Sequence, residues 1–365
     1  LGADADWTIN KAWSVQALAS LYERRDEYDS PGIDPFTAVP PNGAANDLDR
    51  QNAALRATVR PSDQATATFG VDYQRESGES DGYVLFGPDP VPNSFRLDRD
   101  IVGVFAEGRY LPDRRWILQA SIRHDEPDGA SGETTGKLGA VYTLASGTTR
   151  LRANWGTGFK LPSFFALGSP LVGDPDLRPE KSTSVDVGIT QSLLSGTAEV
   201  SVTVFDNDYK DFIDFDADCF CNVNREVTTG GLELEGNWSV SAELALRAHA
   251  TWTDIDVKDS DRELLQRPDW RGGAALRWSP AENWLVDLDW LYVGEALDSS
   301  IPTGILELDP WHRVDLSLNW VATPRLRLAL AVDNLLDAGY EEAVGFPAAG
   351  IRPRFGVRYL FGAQP

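Results

Sequence analysis

Six aspartates crowd one stretch of the chain: Asp206, Asp208, Asp211, Asp214, Asp216 and Asp218. Carboxylates at this density could gather oxygens around a hard cation, with Asp214, Asp216 and Asp218 as candidate ligands and Ca²⁺ as the candidate ion. The pattern departs from an EF-type loop, because Cys219 stands where that loop needs Gly and Arg225 where it needs Glu. An acidic, solvated loop is therefore the plainer reading. Cys219 and Cys221 sit in the same segment with one residue between them. Either they form a short i,i+2 disulfide, which an oxidising compartment permits, or they are free thiols or bridge to a partner. Aromatic residues in the polar segments are candidates for stacking on a ligand: Phe36, Tyr83, Phe86, Phe164, Phe165, Phe220, Tyr340 and Phe346. Plain loop packing competes with that role.

Enzyme chemistry finds no support. Gly156-Thr157-Gly158 begins like a dinucleotide fingerprint, but Leu161 replaces the third glycine and no helical pattern follows. HExxH, GxSxG and Walker sequences are absent, and His124, His249 and His312 lack ligand spacing. No cofactor is required by any motif. A formal charge of −23 argues against nucleic acid as a partner, since phosphates need a basic face. Twelve Trp, 10 Tyr and 15 Phe among 365 residues are too many for a disordered coil. No run approaches the ~18–20 apolar residues of a spanning helix. The sequence starts at Leu1 with neither a basic n-region nor an apolar h-region, and reads as a mature protein or a piece of one.

The elements that must position these residues are strands. Apolar segments alternate with period 2 almost throughout. Leu326, Leu328, Leu330 and Val332 oppose Arg327, Ala329, Ala331 and Asp333. Val286, Leu288, Trp290 and Tyr292 oppose Leu285, Asp287, Asp289 and Leu291. Val314, Leu316, Leu318 and Trp320 oppose Asp315, Ser317 and Asn319. The same pattern holds at 102–110, 116–123, 136–144, 151–156, 198–204, 243–252 and 354–361.

The links alternate as well. Seven short, turn-like links fall near 60–64, 111–115, 145–149, 193–196, 238–242, 279–283 and 322–325. Eight longer ones, acidic or rich in Gly and Pro, fall near 27–46, 76–98, 125–133, 160–181, 211–224, 256–268, 295–308 and 335–350. About sixteen strands with short turns at one end and long loops at the other describe an antiparallel transmembrane β-barrel of the outer-membrane type. A propeller would show a blade repeat, and none is visible. A soluble sandwich rarely has so many regular two-faced strands. Trp13, Trp116, Trp238, Trp278, Trp284 and Trp320 all neighbour short turns, where an interfacial girdle belongs.

Three stretches carry a family resemblance. Trp155–Lys181 (WGTGFKLPSFFALGSPLVGDPDLRPEK) resembles the "GTGFKAPS…NPNLKPEKS" segment of TonB-dependent outer-membrane receptors. Val204–Trp238 resembles their "F.N…DLI…N…T.G.E.E" segment, and Val332–Phe361 their "NLFD..Y…GY…GR…G..Y.F" segment. With LLQRP at 264–268 the likeness spans about the last 210 residues, in order, and is nearest the cobalamin transporter branch. Phe355, Val357, Tyr359 and Phe361 resemble the terminal strand read by the barrel-assembly machinery, although Gly362-Ala363-Gln364-Pro365 follow.

The resemblance implies a bacterial outer-membrane, multi-pass receptor that binds a scarce, bulky small molecule and imports it with energy from TonB. Cobalamin is the first choice of ligand, with a ferric siderophore or haem next. It implies a 22-stranded barrel holding a plug, so residues 1–365 are expected to be a single barrel region, its C-terminal part. The plug, through which TonB would act, and the first strands are then expected outside the chain. Leu1–Asp6 reads as the end of a preceding strand. A continuous ladder from 13–23 to 354–361 would instead make a closed sixteen-stranded barrel. Arg152, Arg327 and Arg358, with Asp287, Asp289, Asp315 and Asp333, are expected on a polar inner face. Long acidic loops would meet lipopolysaccharide through divalent cations. The alternatives are a passive sixteen-stranded porin, with a constricting loop and energy-independent flux, and a structural or adhesive barrel with neither flux nor ligand.

Overall fold

The structure, a computed structural model, describes residues 1–32, 40–85, 87, 89–216, 219, 221–258, 263–300 and 303–362. The chain begins with β1 (Gly2–Thr8), then turns tightly into β2 (Trp13–Ser30). A long link leads to β3 (Asn42–Ser62) and a tight turn to β4 (Ala65–Val84). After the two-residue spur β5 (Val91–Pro92) come β6 (Phe95–Tyr110), β7 (Trp116–Pro127), β8 (Glu133–Thr143) and β9 (Thr149–Lys160). A loop carrying α1 (Phe164–Gly168) precedes β10 (Glu180–Leu193), β11 (Ala198–Asp216), β12 (Cys221–Ser239) and β13 (Leu244–Val257). β14 (Trp270–Trp278) and β15 (Trp284–Val293) follow, and the loop hairpin of β16 (Ala296–Ser300) and β17 (Gly304–Leu308) comes next. β18 (Trp311–Thr323), β19 (Leu326–Asp333), a second small hairpin of β20 (Glu341–Ala343) and β21 (Phe346–Pro347), and β22 (Arg352–Tyr359) complete the chain.

Eighteen strands form one sheet. Because β5 is only a spur on β4, seventeen make a continuous antiparallel series running from β1 to β22. The count exceeds the expected sixteen by one, since Leu1–Asp6 belongs to a ladder of its own: Gly2 pairs with Ser20 and Thr8 with Ser14. Some of the expected long links are also partly strand. The pairing of β11 with β12 runs out to Asp216 and Cys221, and that of β2 with β3 to Ser30 and Asn42. Beyond the apolar zone both faces of a strand can be polar, so composition there looks like a loop while the backbone keeps its ladder bonds.

Register sorts the side chains into two faces. Across β18, β19 and β22, Leu318, Leu330 and Phe355 share one face, as do Leu316, Val332 and Pro353. Arg327 lies opposite Arg358, and Asp333 opposite Arg352, on the other. Slipping one residue would exchange every pair between faces, so the pattern fixes the pairing. On the apolar face, large side chains stand open: Ile122 is 57%, Leu138 56% and Val187 57% exposed. That exposure makes sense only for a face whose solvent is lipid.

The apolar face ends at the short turns in aromatic residues. Trp116 packs on Tyr142 with ring centroids 4.5 Å apart, and Trp284 stacks on Trp320 at 5.2 Å. Trp278 pairs with Val286, and Trp238 with Leu246, at the same level. At the other end of β13, Trp252 pairs with Trp270 across the ladder. The eight steps from Leu244 to Trp252 cover about 27 Å of strand, or about 21 Å along the normal at a ~40° tilt, near the height of an outer-membrane apolar band.

Leu330→Arg, in the middle of this band, is expected to destabilise the sheet in phospholipid vesicles by about 2–4 kcal/mol, with Ala329→Arg on the opposite face nearly neutral. Urea titration of both variants in vesicles checks it; equal losses would contradict the assignment of faces.

Candidate functional site at the loop end

The polar face carries charges that the ladder sets next to one another. Arg123 forks onto Asp72 with bonds of 2.6 and 2.8 Å and also binds Asp125. Gly103 makes that fork possible, since a Cβ there would lie 2.0 Å from the guanidinium. Of the expected inner-face residues, Arg152 donates to Thr203, Asp287 pairs with Arg277, Asp315 with Arg313 and Asp333 with Arg354. Asp289 faces Asp315 in the register, and Arg327 faces Arg358.

At the loop end, the segment between β9 and β10 crosses the polar face as a strap with an anchor on each side. On one side Glu76, whose side chain is only 6% exposed, sits between Arg50 and Arg99. Arg99 also donates to the Pro162 carbonyl at 3.0 Å and lies 4.8 Å over the Phe164 ring. Phe164 presses on Gly78, where any Cβ would come within 2.2 Å of the ring. The Ser163 hydroxyl caps α1 by accepting the Ala166 N–H. Ser169 meets Asn93 at 3.1 Å.

On the far side, the Val172 carbonyl accepts both the backbone and the side-chain N–H of Asn222. Asn224 accepts the Arg178 N–H and donates to the carbonyls of Arg178 and Asp211. Arg178 closes the ring on the Asp211 carboxylate. Asp211 is the bulged residue that shifts the β11–β12 register, and its φ is +56°. A bulge re-aims the strand edge, and here it turns the Asp211 carboxylate toward Arg178 of the strap and the Asp211 carbonyl toward Asn224 of β12.

A second assembly ties the remaining loops together. Asp298, 5% exposed, accepts Gln266 Nε2 at 3.1 Å and the Val344 N–H at 2.7 Å, so three loops share one carboxylate. Asn334, with φ +52°, accepts the Ala338 N–H and donates to the carbonyls of Ala338 and Ala349. Its own N–H goes to Asp315.

The sequence-selected residues separate into groups. Phe36, Phe86, Asp218 and Phe220 lie outside the described residues. Phe164 is a packing residue of the strap. Tyr83 points to the apolar side, its hydroxyl on Asp29 at 2.9 Å. Tyr340 stacks on Trp311 at 4.1 Å and meets Arg313 through its hydroxyl. Phe165, edge-on to Phe95, is 52% exposed and Phe346 73%, so these two present open rings at the mouth. Arg225 spans Asp214 at 3.2 Å and Asp216 at 2.6 Å, so both carboxylates already face a cation. Among the described residues no three metal-ligating side chains converge. Cys219 and Cys221 are bonded sulfur to sulfur, their Cα atoms 5.3 Å apart. Phe355, Val357, Tyr359 and Phe361 are 47–90% exposed, the first three along the apolar face of β22. Just past β13, Lys258 binds Asp208 and Glu226, which raise its pKa above the ordinary lysine value.

Sequence reasoning passed over Glu76, Arg99 and Asp298, which hold the mouth together. Arg178, Asn224 and Asn334 lay within the quoted resemblance stretches, and that was the signal available for them.

A family model described as "TonB dependent receptor-like, beta-barrel" matches residues 1–335. A vitamin B12 transporter of Vibrio cholerae serotype O1 is 29% identical over 263 residues, which is 68% of this chain and 40% of that protein. A vitamin B12 transporter of Vibrio vulnificus is 27% identical over 312 residues, 82% of this chain and 48% of its own length. The chain thus spans less than half the length of these relatives. Among solved structures, the copper transporter OprC superposes with a TM-score of 0.82 at 18% identity, over 99% of this chain and 65% of its own. The ferripyoverdine receptor of Pseudomonas aeruginosa superposes at 0.81 and 14% identity, over 98% and 55%. At such identities the two structures share a fold with this chain.

Arg99→Ala is expected to release one end of the strap and leave Glu76 with Arg50 alone, while Asn224→Ala releases the other. Amide exchange across 161–179 should quicken at least tenfold in either variant, with the β7–β8 ladder unchanged. Unaltered protection in both would mean that the anchors do not hold the strap.

Proposed function

Because the chain belongs to the TonB dependent receptor-like β-barrel family, whose members are transporters of the bacterial outer membrane, we propose that it forms the barrel wall of an energy-coupled importer of a scarce, bulky ligand. In this reading the polar inner face surrounds a plug supplied by sequence outside the 365 residues, and TonB acts through that plug. The ligand is met at the loop end, where Phe165 and Phe346 expose their rings beside strapped, ordered loops. Flat aromatic surfaces at a rim suit a large, partly apolar, conjugated ligand, and open rings lose little freedom on stacking.

Cobalamin is the favoured ligand, and the observation that carries the choice is the likeness to vitamin B12 transporters over about two thirds of the chain. Ferric siderophores and haem come next. The copper and ferripyoverdine proteins share the fold at lower identity and do not shift that order. Ca²⁺ at Asp214 and Asp216 would have to displace Arg225, so the proposal uses no cation. Acidic side chains above the apolar band, including Asp206, Asp254 and Asp256, would face lipopolysaccharide in the outer leaflet. Folding would pass through the barrel-assembly machinery, with β22 as the recognised strand.

A passive pore is the second reading, and one observation favours it: the strap lies across the polar face, as a constricting loop would. The two readings part on energy. The full-length receptor containing this barrel, expressed in cells lacking their own B12 transporter, should accumulate labelled cobalamin only when TonB is present. Uptake that persists without TonB would support the pore. Uptake of ferric chelates but not of cobalamin would overturn the ligand choice alone.

A further inference from the structure

The lipid-facing wall is not uniform. Across β6, β7, β8 and β9 its outward side chains leave an oblique furrow. The floor is Gly108, which pairs with Ala120, and then Ala140, which pairs with Ala153. Leu138 and Trp155 wall it on the side away from the short turns, and Tyr110 and Leu118 on the side toward them. The register makes the furrow oblique. Ala120 lies opposite Leu138 and Leu118 opposite Ala140, so small and large residues change places between β7 and β8. Each of the four strands has a ladder partner on both sides, so no further strand can cover this part of the wall.

Lipid tails are as apolar as leucine, so exclusion from water gives them no preference for one part of the wall. Close packing does. A floor of Gly and Ala lets a chain approach the backbone, and ridges on either side add contacts that a flat face lacks.

The short-turn end of the furrow meets charge. The Arg115 carbonyl accepts the N–H of Thr143, three residues along β8 from Ala140. The turn between β6 and β7 therefore stands about 10 Å from the floor, measured along the strand. Trp116 and Tyr142 lie between them, at the level where headgroups meet hydrocarbon. Asp113 is tied to its own turn, accepting the backbone N–H groups of Arg115 and Trp116. Arg114 and Arg115 are exposed, and neither meets a carboxylate among the described residues. No other short turn carries two cations, in a chain whose net charge is −23. Adjacent guanidinium groups suit a phosphate, because arginine forks onto its oxygens.

We propose that the furrow and this turn form a binding site for one anionic glycerophospholipid of the periplasmic leaflet, its phosphate on Arg114 and Arg115 and an acyl chain between the two ridges. The site rests on the outer-membrane barrel and on neither the transported ligand nor TonB. Failure of the uptake experiment therefore leaves it standing.

The test places the full-length receptor containing this barrel in phosphatidylcholine nanodiscs with a minor fraction of phosphatidylglycerol that bears a diazirine in one acyl chain. After irradiation, peptide mass spectrometry should find at least tenfold more label on 106–122 and 136–155 than on 314–332, the matching face of β18 and β19. Arg114→Ala with Arg115→Ala should lower furrow labelling at least tenfold, since each surface cation contributes about fivefold toward an anionic lipid. Ala120→Phe with Ala140→Phe fills the floor, keeps the face apolar and should lower it at least fivefold. The same diazirine on phosphatidylcholine should label the furrow and β18–β19 alike. If the arginine variant fails to insert, the filled floor and the zwitterionic probe still decide. Even labelling around the wall by the anionic probe would overturn the proposal, as would furrow labelling that neither double substitution changes. An unlabelled furrow in a receptor that runs as a dimer would assign the groove to a second copy, and overturn it too.

Discussion

Backbone hydrogen bonding in a solvent without water is the constraint on which the rest of this structure depends. A strand in lipid must pair on both sides, and its side chains must alternate between lipid and interior. Both demands are visible in the register, which gathers Leu318, Leu330 and Phe355 on one face and Arg327 with Arg358 on the other. The protein accordingly has little core in the globular sense. Its buried apolar residues are few, and Ala166 and Leu177 belong to the loop strap rather than to the wall. Open leucines and valines on the outer face are what lipid requires, and the net charge of −23 is accommodated on the polar face and in the loops.

The same alternation positions the mouth. Strands that outrun the apolar band carry polar groups on both faces, and these groups fasten the loops. Glu76 and Arg99 hold the strap from β4 and β6, while Asp211 and Asn224 hold it from the bulged end of β11 and β12. Asp298 and Asn334 do the same for the loops that follow β13, β15 and β19. Charge-assisted and multiply bonded anchors of this kind are stronger than exposed surface pairs, because the acceptors are largely withdrawn from water. The mouth is therefore preorganised, with Phe165 and Phe346 among its open aromatic surfaces.

Much of this was legible in the sequence, and for a physical reason. Period-2 patterning reports faces directly, so the strands, the short-turn end and the tryptophan girdle were all visible. The ladder of β1 was only half visible, because Ala3, Ala5 and Trp7 are a weak apolar set. The loop-end stretches of β2, β3, β4, β11 and β12, at 27–30, 42–46, 76–84, 211–216 and 221–224, read as loops in sequence because their composition is that of solvated segments. The mouth was least legible. Phe164 and Phe165 are adjacent and alike in sequence, yet one packs beneath Arg99 and the other stands open. Nothing in the local sequence marks Glu76, Arg99 and Pro162 as neighbours, since 63 residues separate the last two.

The central claim is that these strands cross a bilayer with one face to lipid and the other to an aqueous interior. Spin labels placed singly at 326 through 333, along β19, test it most directly through collision with oxygen, which partitions into lipid, and with a water-soluble nickel chelate. The account predicts strict alternation, with positions 326, 328, 330 and 332 reached by oxygen and 327, 329, 331 and 333 by nickel. Uniform access along the strand, or alternation of the opposite phase, would contradict it.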